Sequence, residues 1–290
     1  MRLAAAPVPS PAKAGAQLRY PVERGNVPGP MQRRWTLACA GEVAWSGAML
    51  GVVLALAGCD GAKPLIKPKA ERPAPFPAAD RPVAHIVSSR WSNEEARDRV
   101  READTVMDRA GIRPGMTVAD IGAGEGYYTV RLASRVGEDG RVLAEDIMPS
   151  VRDQLAERVS RERLENVSVR LGTPSDPRLP ANSFDRVLMV HMYHEIERPY
   201  EFLWRLRPSL KPDGLVVVVD ANRPTQDHGT PPALLACEFA AVGYAQVSSD
   251  PMPRAGGYIA TFRTEGARPR PNAIRACRLR QPAANGGAHK

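Results

Sequence analysis

Val118-Ala119-Asp120-Ile121-Gly122-Ala123-Gly124-Glu125-Gly126 is the stretch whose reading decides the fold. A short apolar run ends in an acid and then in closely spaced glycines. An amphipathic segment follows, with Tyr128, Leu132 and Val136 at helical spacing. The pattern predicts a strand, a tight turn and a helix. Gly122 and Gly124 let the backbone turn and let a ligand approach with no Cβ in the way. The spacing is Gly-x-Gly-x-Gly, not the Gly-x-Gly-x-x-Gly of dinucleotide binders. Asp120 ahead of the glycines repels a pyrophosphate and suits a ligand with a cationic end.

Outward from this turn, strands are predicted at 117–121, 141–145, 167–171, 185–190, 215–219, 244–248 and 258–263. Helices are predicted at 93–110, 127–136, 151–160, 199–206 and 232–241. Strand and helix alternate, so the expected fold is α/β: a Rossmann-like, doubly wound, mostly parallel seven-stranded sheet with helices on both faces. Leu215-Val216-Val217-Val218-Val219 is apolar throughout, as a strand covered on both faces must be. In such sheets ligands bind beyond the carboxyl ends of the strands, at the point where strand order reverses.

The second strand ends in Ala144-Glu145-Asp146-Ile147. An ionised acid there has two acceptor oxygens for a pair of ribose hydroxyls. Asp146 is chosen over Glu145 because Ile147 after it can pack on a base. Two further landmarks follow in order: Leu179-Pro180-Ala181-Asn182-Ser183-Phe184-Asp185 and Leu210-Lys211-Pro212-Asp213-Gly214. Together with the glycine turn, these make residues 93–263 resemble the class I S-adenosylmethionine (SAM) dependent methyltransferases, in the group similar to the ubiquinone/menaquinone-biosynthesis enzymes. The resemblance implies SAM as cofactor. It places Asp120, Gly122, Ala123, Gly124 and Gly126 at the methionine part, Asp146 at the ribose and Ile147 at the adenine. The family often has an acid just after the third strand. Here Gly172-Thr173-Pro174 stands there, which leaves the adenine contact to Asp176 or the Thr173 hydroxyl.

The fourth predicted strand runs into His191-Met192-Tyr193-His194-Glu195-Ile196. The resemblance puts this position opposite the transferred methyl. His191 or His194 is then a candidate base, Glu195 its orienting acid and Tyr193 a wall of the pocket. Asp220, Asn222, Arg223 and His228 are candidates for the acceptor side or are plain turn residues.

The flanks differ in character. Residues 1–30 are rich in Ala, Pro and Gly and read as disordered; the expected start of translation is Met31. Residues 31–58 read as a signal peptide, with Arg33 and Arg34 ahead of an uncharged apolar run. Its end, Leu56-Ala57-Gly58-Cys59, resembles the lipobox of bacterial lipoproteins, which implies lipidation of Cys59 and a membrane anchor. Residues 59–83 read as a proline-rich linker, 84–264 as the methyltransferase domain and 265–290 as a disordered basic tail. The net charge of +8 sits largely in the flanks, so no nucleic-acid partner is expected. The cysteines form no Cys-x-x-Cys pair, and the spacing shows no metal motif. Spacing alone leaves a Cys237–Cys277 disulfide open.

The leading expectation is methyl transfer to a small-molecule or lipid-like acceptor. The alternative is a non-catalytic SAM-binding, membrane-tethered lipoprotein. The glycine spacing disfavours a nucleotide-dependent oxidoreductase. The lipobox implies the periplasmic or extracytoplasmic face, and without the signal the site is cytoplasmic.

Overall fold

The computed structural model describes residues 75–86 and 93–278. Helices α1 (Glu94–Arg99) and α2 (Glu102–Arg109) precede the sheet. The chain then alternates through β1 (Thr117–Ile121), α3 (Tyr127–Val136), β2 (Arg141–Asp146), α4 (Pro149–Arg161) and β3 (Val167–Leu171). It continues through β4 (Phe184–Val190), α5 (Pro199–Leu206), β5 (Leu210–Asp220) and α6 (Pro232–Ala241), and closes with β6 (Tyr244–Met252) and β7 (Gly257–Thr264). Pro149, Pro199 and Pro232 each open a helix, where a missing N–H costs nothing and φ is already set.

The strands form one sheet in the order β3-β2-β1-β4-β5-β7-β6. β7 runs antiparallel to β5 and β6, and the remaining pairs are parallel. This is the expected seven-stranded, doubly wound fold. Alternate residues of each central strand face opposite cores. Val187, Met189, Val216 and Val218 pack with Leu203, Leu206, Leu235 and Phe239 under α5 and α6. Leu188, Val217 and Val219 pack with Val106, Leu132 and Val136 under α2 and α3. The valine run of β5 therefore has no solvent face to mark with polar residues.

Strand order reverses between β1 and β4. The loops that follow these two strands consequently lie side by side at their carboxyl ends.

Three expectations need correction. The helix predicted over 93–110 is two helices, broken at Val100 and Arg101, where Arg101 adopts a left-handed φ of 53°. The break turns α1 across the glycine loop while α2 packs on α3. Second, the packed body extends beyond 84–264 at its N-terminal side. Phe76 is buried edge-on against Trp204, and Arg81 is buried in an ion pair with Glu238 at 2.9 Å. Third, residues 265–278 of the expected tail are packed. Ile274 and Cys277 are buried, the Trp204 indole donates to Pro269 O, and Arg268 lies over the Trp204 ring. A disulfide joins Cys277 to Cys237 of α6. The expected signal peptide, most of the expected linker and Cys59 lie outside the described residues. Among the described residues no helix is long and apolar enough to cross a membrane.

Closing a loop of sequence separation 40 gives this disulfide a stabilising effect of about 3–4 kcal/mol in the chain-entropy account. Urea unfolding with and without a reductant, and of Cys277→Ser, measures it. Both reduced and substituted proteins are expected to unfold at clearly lower urea, and coincident curves would remove the bond from the stabilising set.

Candidate functional site

The glycine loop is laid against the end of β2 by backbone bonds. Ala123 N donates to Glu145 O at 2.9 Å, and Gly124 N donates to Asp146 Oδ2 at 3.1 Å. The other Asp146 oxygen accepts from Met148 N at 2.9 Å. Each carboxylate oxygen is thus fixed by one main-chain N–H and keeps a further lone pair. Gly122 has a φ of +65°, and a Cβ there would lie 3.0 Å from Met192 Cγ. The loop after β1 and the loop after β4 touch at that point.

These loops border a cavity of about 560 Å³. Gly122, Ala123, Gly124, Asp146, Ile147, Thr173, His191 and Glu195 all line it. Asp120 and Gly126 do not. Asp120 is buried behind the glycine loop on the α3 face, where the Thr129 hydroxyl donates to it at 2.6 Å. Burial pushes its carboxyl up to about 6, against the pull of the Thr129 bond. Gly126 serves packing, because a Cβ there would meet Leu155 Cδ1 of α4 at 2.6 Å. Both residues shape the loop from behind and do not reach the cavity.

Glu145, passed over in favour of Asp146, also lines the cavity. It is buried, its Oε1 has no hydrogen-bond partner among the described residues, and a Cβ on Gly172 would lie 1.4 Å from that oxygen. The carboxyl therefore fills the space at the end of β3 where the resemblance expects an acid. Burial, and then the charge of Asp146, push it up to about 8. Asp176 does not line this cavity; it bonds Arg178 N and Thr173 and pairs with Arg205.

A second cavity of about 300 Å³ adjoins the first, and Arg97, His191 and Glu195 border both. His191 sits at the junction with a left-handed φ of 55°. Its Nε2 lies 3.4 Å from Glu102 Oε1. Glu102 also accepts from Arg97 Nη2 at 2.7 Å and from the Tyr128 hydroxyl at 2.9 Å. Burial works against the Glu102 charge, but the bonds from His191 and Arg97 outweigh it and hold the carboxyl down to about 2. Arg97 in turn lies over the Tyr127 ring, 3.8 Å from its centroid. Neither Glu102 nor Arg97 carried a signal in the sequence, since each is one more charge in a polar helical segment.

After β4 the chain makes a 3-10 turn, Tyr193–Glu195, that divides its side chains. Tyr193 turns away from both cavities into the core, and its hydroxyl donates to Glu238 at 2.8 Å. It does not shape the pocket as expected. His194 faces the second cavity. Its Nδ1 lies 3.0 and 3.1 Å from the two oxygens of Asp220, so Asp220, not Glu195, orients it. Asp220 also accepts from Thr230 Oγ1 at 2.7 Å and from Ala221 N at 2.8 Å. With these donors the carboxylate is acceptor-only towards an Nδ1–H of His194. Arg223 and His228 line this cavity too. Burial, His194 and Arg223 lower the His228 imidazole. An acid closing a buried valine run was the available signal for Asp220.

Residues 119–218 match the family model of a methyltransferase domain. The nocamycin O-methyltransferase of Saccharothrix syringae is 44% identical over 86 residues, which are 29% of this chain and 30% of that one. The ubiquinone/menaquinone biosynthesis C-methyltransferase of Hydrogenovibrio crunogenus is 32% identical over 126 residues, 41% of this chain and 48% of that one. This chain spans less than half the length of either relative. A SAM-dependent methyltransferase from Aquifex aeolicus superposes with a TM-score of 0.53 at 25% identity, covering 58% of this chain and 90% of that one. Residues 119–218 thus match a methyltransferase domain, and the fold is that of the Aquifex aeolicus enzyme.

Glu145 gives the site a pH signature. Folding raises its pKa from 4.5 to about 8, so its contribution to stability is complete below pH 4.5 and is lost as pH rises to about 8. Asp120 acts in the same sense over a lower window, from 3.8 to about 6. The melting temperature of the ligand-free protein is expected to fall between pH 6 and 8, and Glu145→Gln to flatten that slope. Parallel slopes for the two proteins would contradict the assignment.

Proposed function

We propose that the chain transfers the methyl group of SAM to a small-molecule or lipid-like acceptor entering the second cavity. The observation that carries this reading is the meeting of the glycine loop, the Asp146 carboxylate and the His191–Glu195 turn around two adjoining cavities. The donor set fits SAM. Asp146 has one lone pair per oxygen left for the ribose hydroxyls. Gly122 and Gly124 let the methionine part lie against main chain. Arg97, held over Tyr127, offers a cation for its carboxylate. Ile147 would pack on the adenine, and Thr173 with the Glu145 carboxyl would meet its edge, since all three line the cavity.

When bound, SAM supplies a methyl carbon on a sulfonium, which an in-line displacement releases as a neutral thioether. The residues contribute chiefly by positioning, which accounts for much of the rate in such a reaction. His191, at the junction, takes a proton from the acceptor atom where that atom carries one, and Glu102 stabilises the resulting imidazolium. Glu195 borders both cavities and orients the acceptor. The matched relatives are named as methyltransferases, which leaves the non-catalytic alternative without support.

We also propose that Cys59 is lipidated and tethers the domain on the extracytoplasmic side. The apolar run before Cys59 supports this reading, as does the Cys237–Cys277 disulfide, a bond that persists in oxidising compartments.

Calorimetry on the purified chain is expected to show SAM binding that the demethylated product competes away. Asp146→Ala should weaken it by about 1–3 kcal/mol, the cost of losing a charged hydrogen-bond partner. Absence of heat would sink the cofactor assignment, and an unchanged affinity in the variant would move the ribose site. A methyl-label screen on small acceptors then identifies the product. Mass spectrometry of the mature chain is expected to find a lipid-modified Cys59 at its N-terminus; an unmodified Cys59 inside an uncut chain would refute the anchor.

A further inference from the structure

The second cavity holds a constellation that goes beyond the acceptor-orienting role given to Glu195. One ligand atom each from His194, Glu195 and His228 lie within 4.8 Å of one another. Different pieces of chain deliver them. His194 and Glu195 are adjacent on the 3-10 turn after β4. His228 follows a second 3-10 turn, Thr225–Asp227, and takes a left-handed φ of 58°. That turn is pinned by the Thr225 hydroxyl, which donates to Pro82 O at 2.6 Å. The two imidazole rings meet edge to face with centroids 5.4 Å apart.

We propose that His194, Glu195 and His228 form a three-ligand site for a first-row divalent metal ion of the zinc type. Two imidazoles and one carboxylate are a donor set that zinc accepts with a position left open. Ligand atoms about 2.1 Å from a tetrahedral ion sit about 3.4 Å from each other. Glu195 and His228 are partly buried and His194 is held by Asp220, so binding an ion would draw the first two inward from the observed spacing.

The independent observation is the environment of His194. Metal-bound histidines regularly donate their second ring nitrogen to a carboxylate, which fixes the tautomer and raises the basicity of the ligating nitrogen. Asp220 does this here, at 3.0 and 3.1 Å, and is itself locked by Thr230 and the Ala221 N–H. Glu195 and Asp220 together balance the charge of a divalent ion. Arg223 and Arg254 border the same cavity, so the open position faces a surface suited to an anionic fourth ligand, such as hydroxide or an acidic oxygen of an acceptor. The site depends on this geometry alone and not on methyl transfer being the reaction.

The test uses the untagged full chain, stripped with a chelator and titrated with Zn²⁺ alone in the absence of SAM. One ion per chain is expected, with binding lost in the His194→Ala, His228→Ala double variant. Asp220→Asn should weaken it by about 10–100-fold, the usual cost of losing such an outer partner. Loading with Co²⁺ should give the visible bands of a tetrahedral ion. SAM calorimetry on each variant shows that the fold is intact and reads out the methyltransferase proposal separately. Failure of the native chain to take up zinc stoichiometrically at micromolar concentration would overturn the site. Uptake that the double variant leaves unchanged would do the same.

Discussion

The contact between Gly122 and Met192 is the constraint on which the rest of the site depends. It is where the loop after β1 meets the loop after β4, and it exists because strand order reverses between those two strands. Gly124 and Asp146 line the first cavity, His194 lines the second, and His191 borders both. A side chain at Gly122 would have to displace Met192 and part the two loops. The Met192 side chain lines the first cavity at that point.

How the turn after β4 presents its side chains is decided far from the cavities. Tyr193 is drawn into the core by Glu238, which also binds Arg81 at 2.9 Å. A buried ion pair of this kind adds little net stability, because desolvation offsets its attraction. Removing one partner is costly, however, since it leaves a charge unpaired in the interior. The pair therefore acts as a restraint. With Tyr193 committed to the core, the 3-10 turn puts His194 on the opposite side, where Asp220 can hold it. One buried carboxylate, Glu238, and another, Asp220, set the two neighbours of the same turn facing opposite ways.

Much of this fold was legible in the sequence, for local reasons. The glycine turn and the valine run of β5 are written in consecutive residues, and so are the strands around them. The cofactor-side landmarks were legible because each closes a strand. What the sequence did not reveal is set by groups distant along the chain. The break at Arg101 leaves the apolar spacing of the segment almost unchanged, yet it brings Arg97, Glu102, Tyr128 and His191 together. Glu145 was passed over because only the packing against Gly172 shows where its carboxyl goes. Residues 265–278 look like a basic tail by composition. Trp204, Tyr200 and Cys237, far upstream, hold them against the body.

The insertion of β7 between β5 and β6 has a consequence for how the molecule is made. β5 is the most apolar strand of the sheet, and its outer edge is covered by β7, the last strand among the described residues. β6 emerges from the ribosome earlier but has no place to dock until β7 arrives beside it. Through that interval a valine-rich edge stands open to any passing strand, which is a hazard for self-association. The sheet closes only when Thr264 has been synthesised, and the Cys237–Cys277 bond only some residues later. Nascent chains of this protein thus complete the sheet only once β7 has followed β6, which favours late closure of the sheet over stepwise closure.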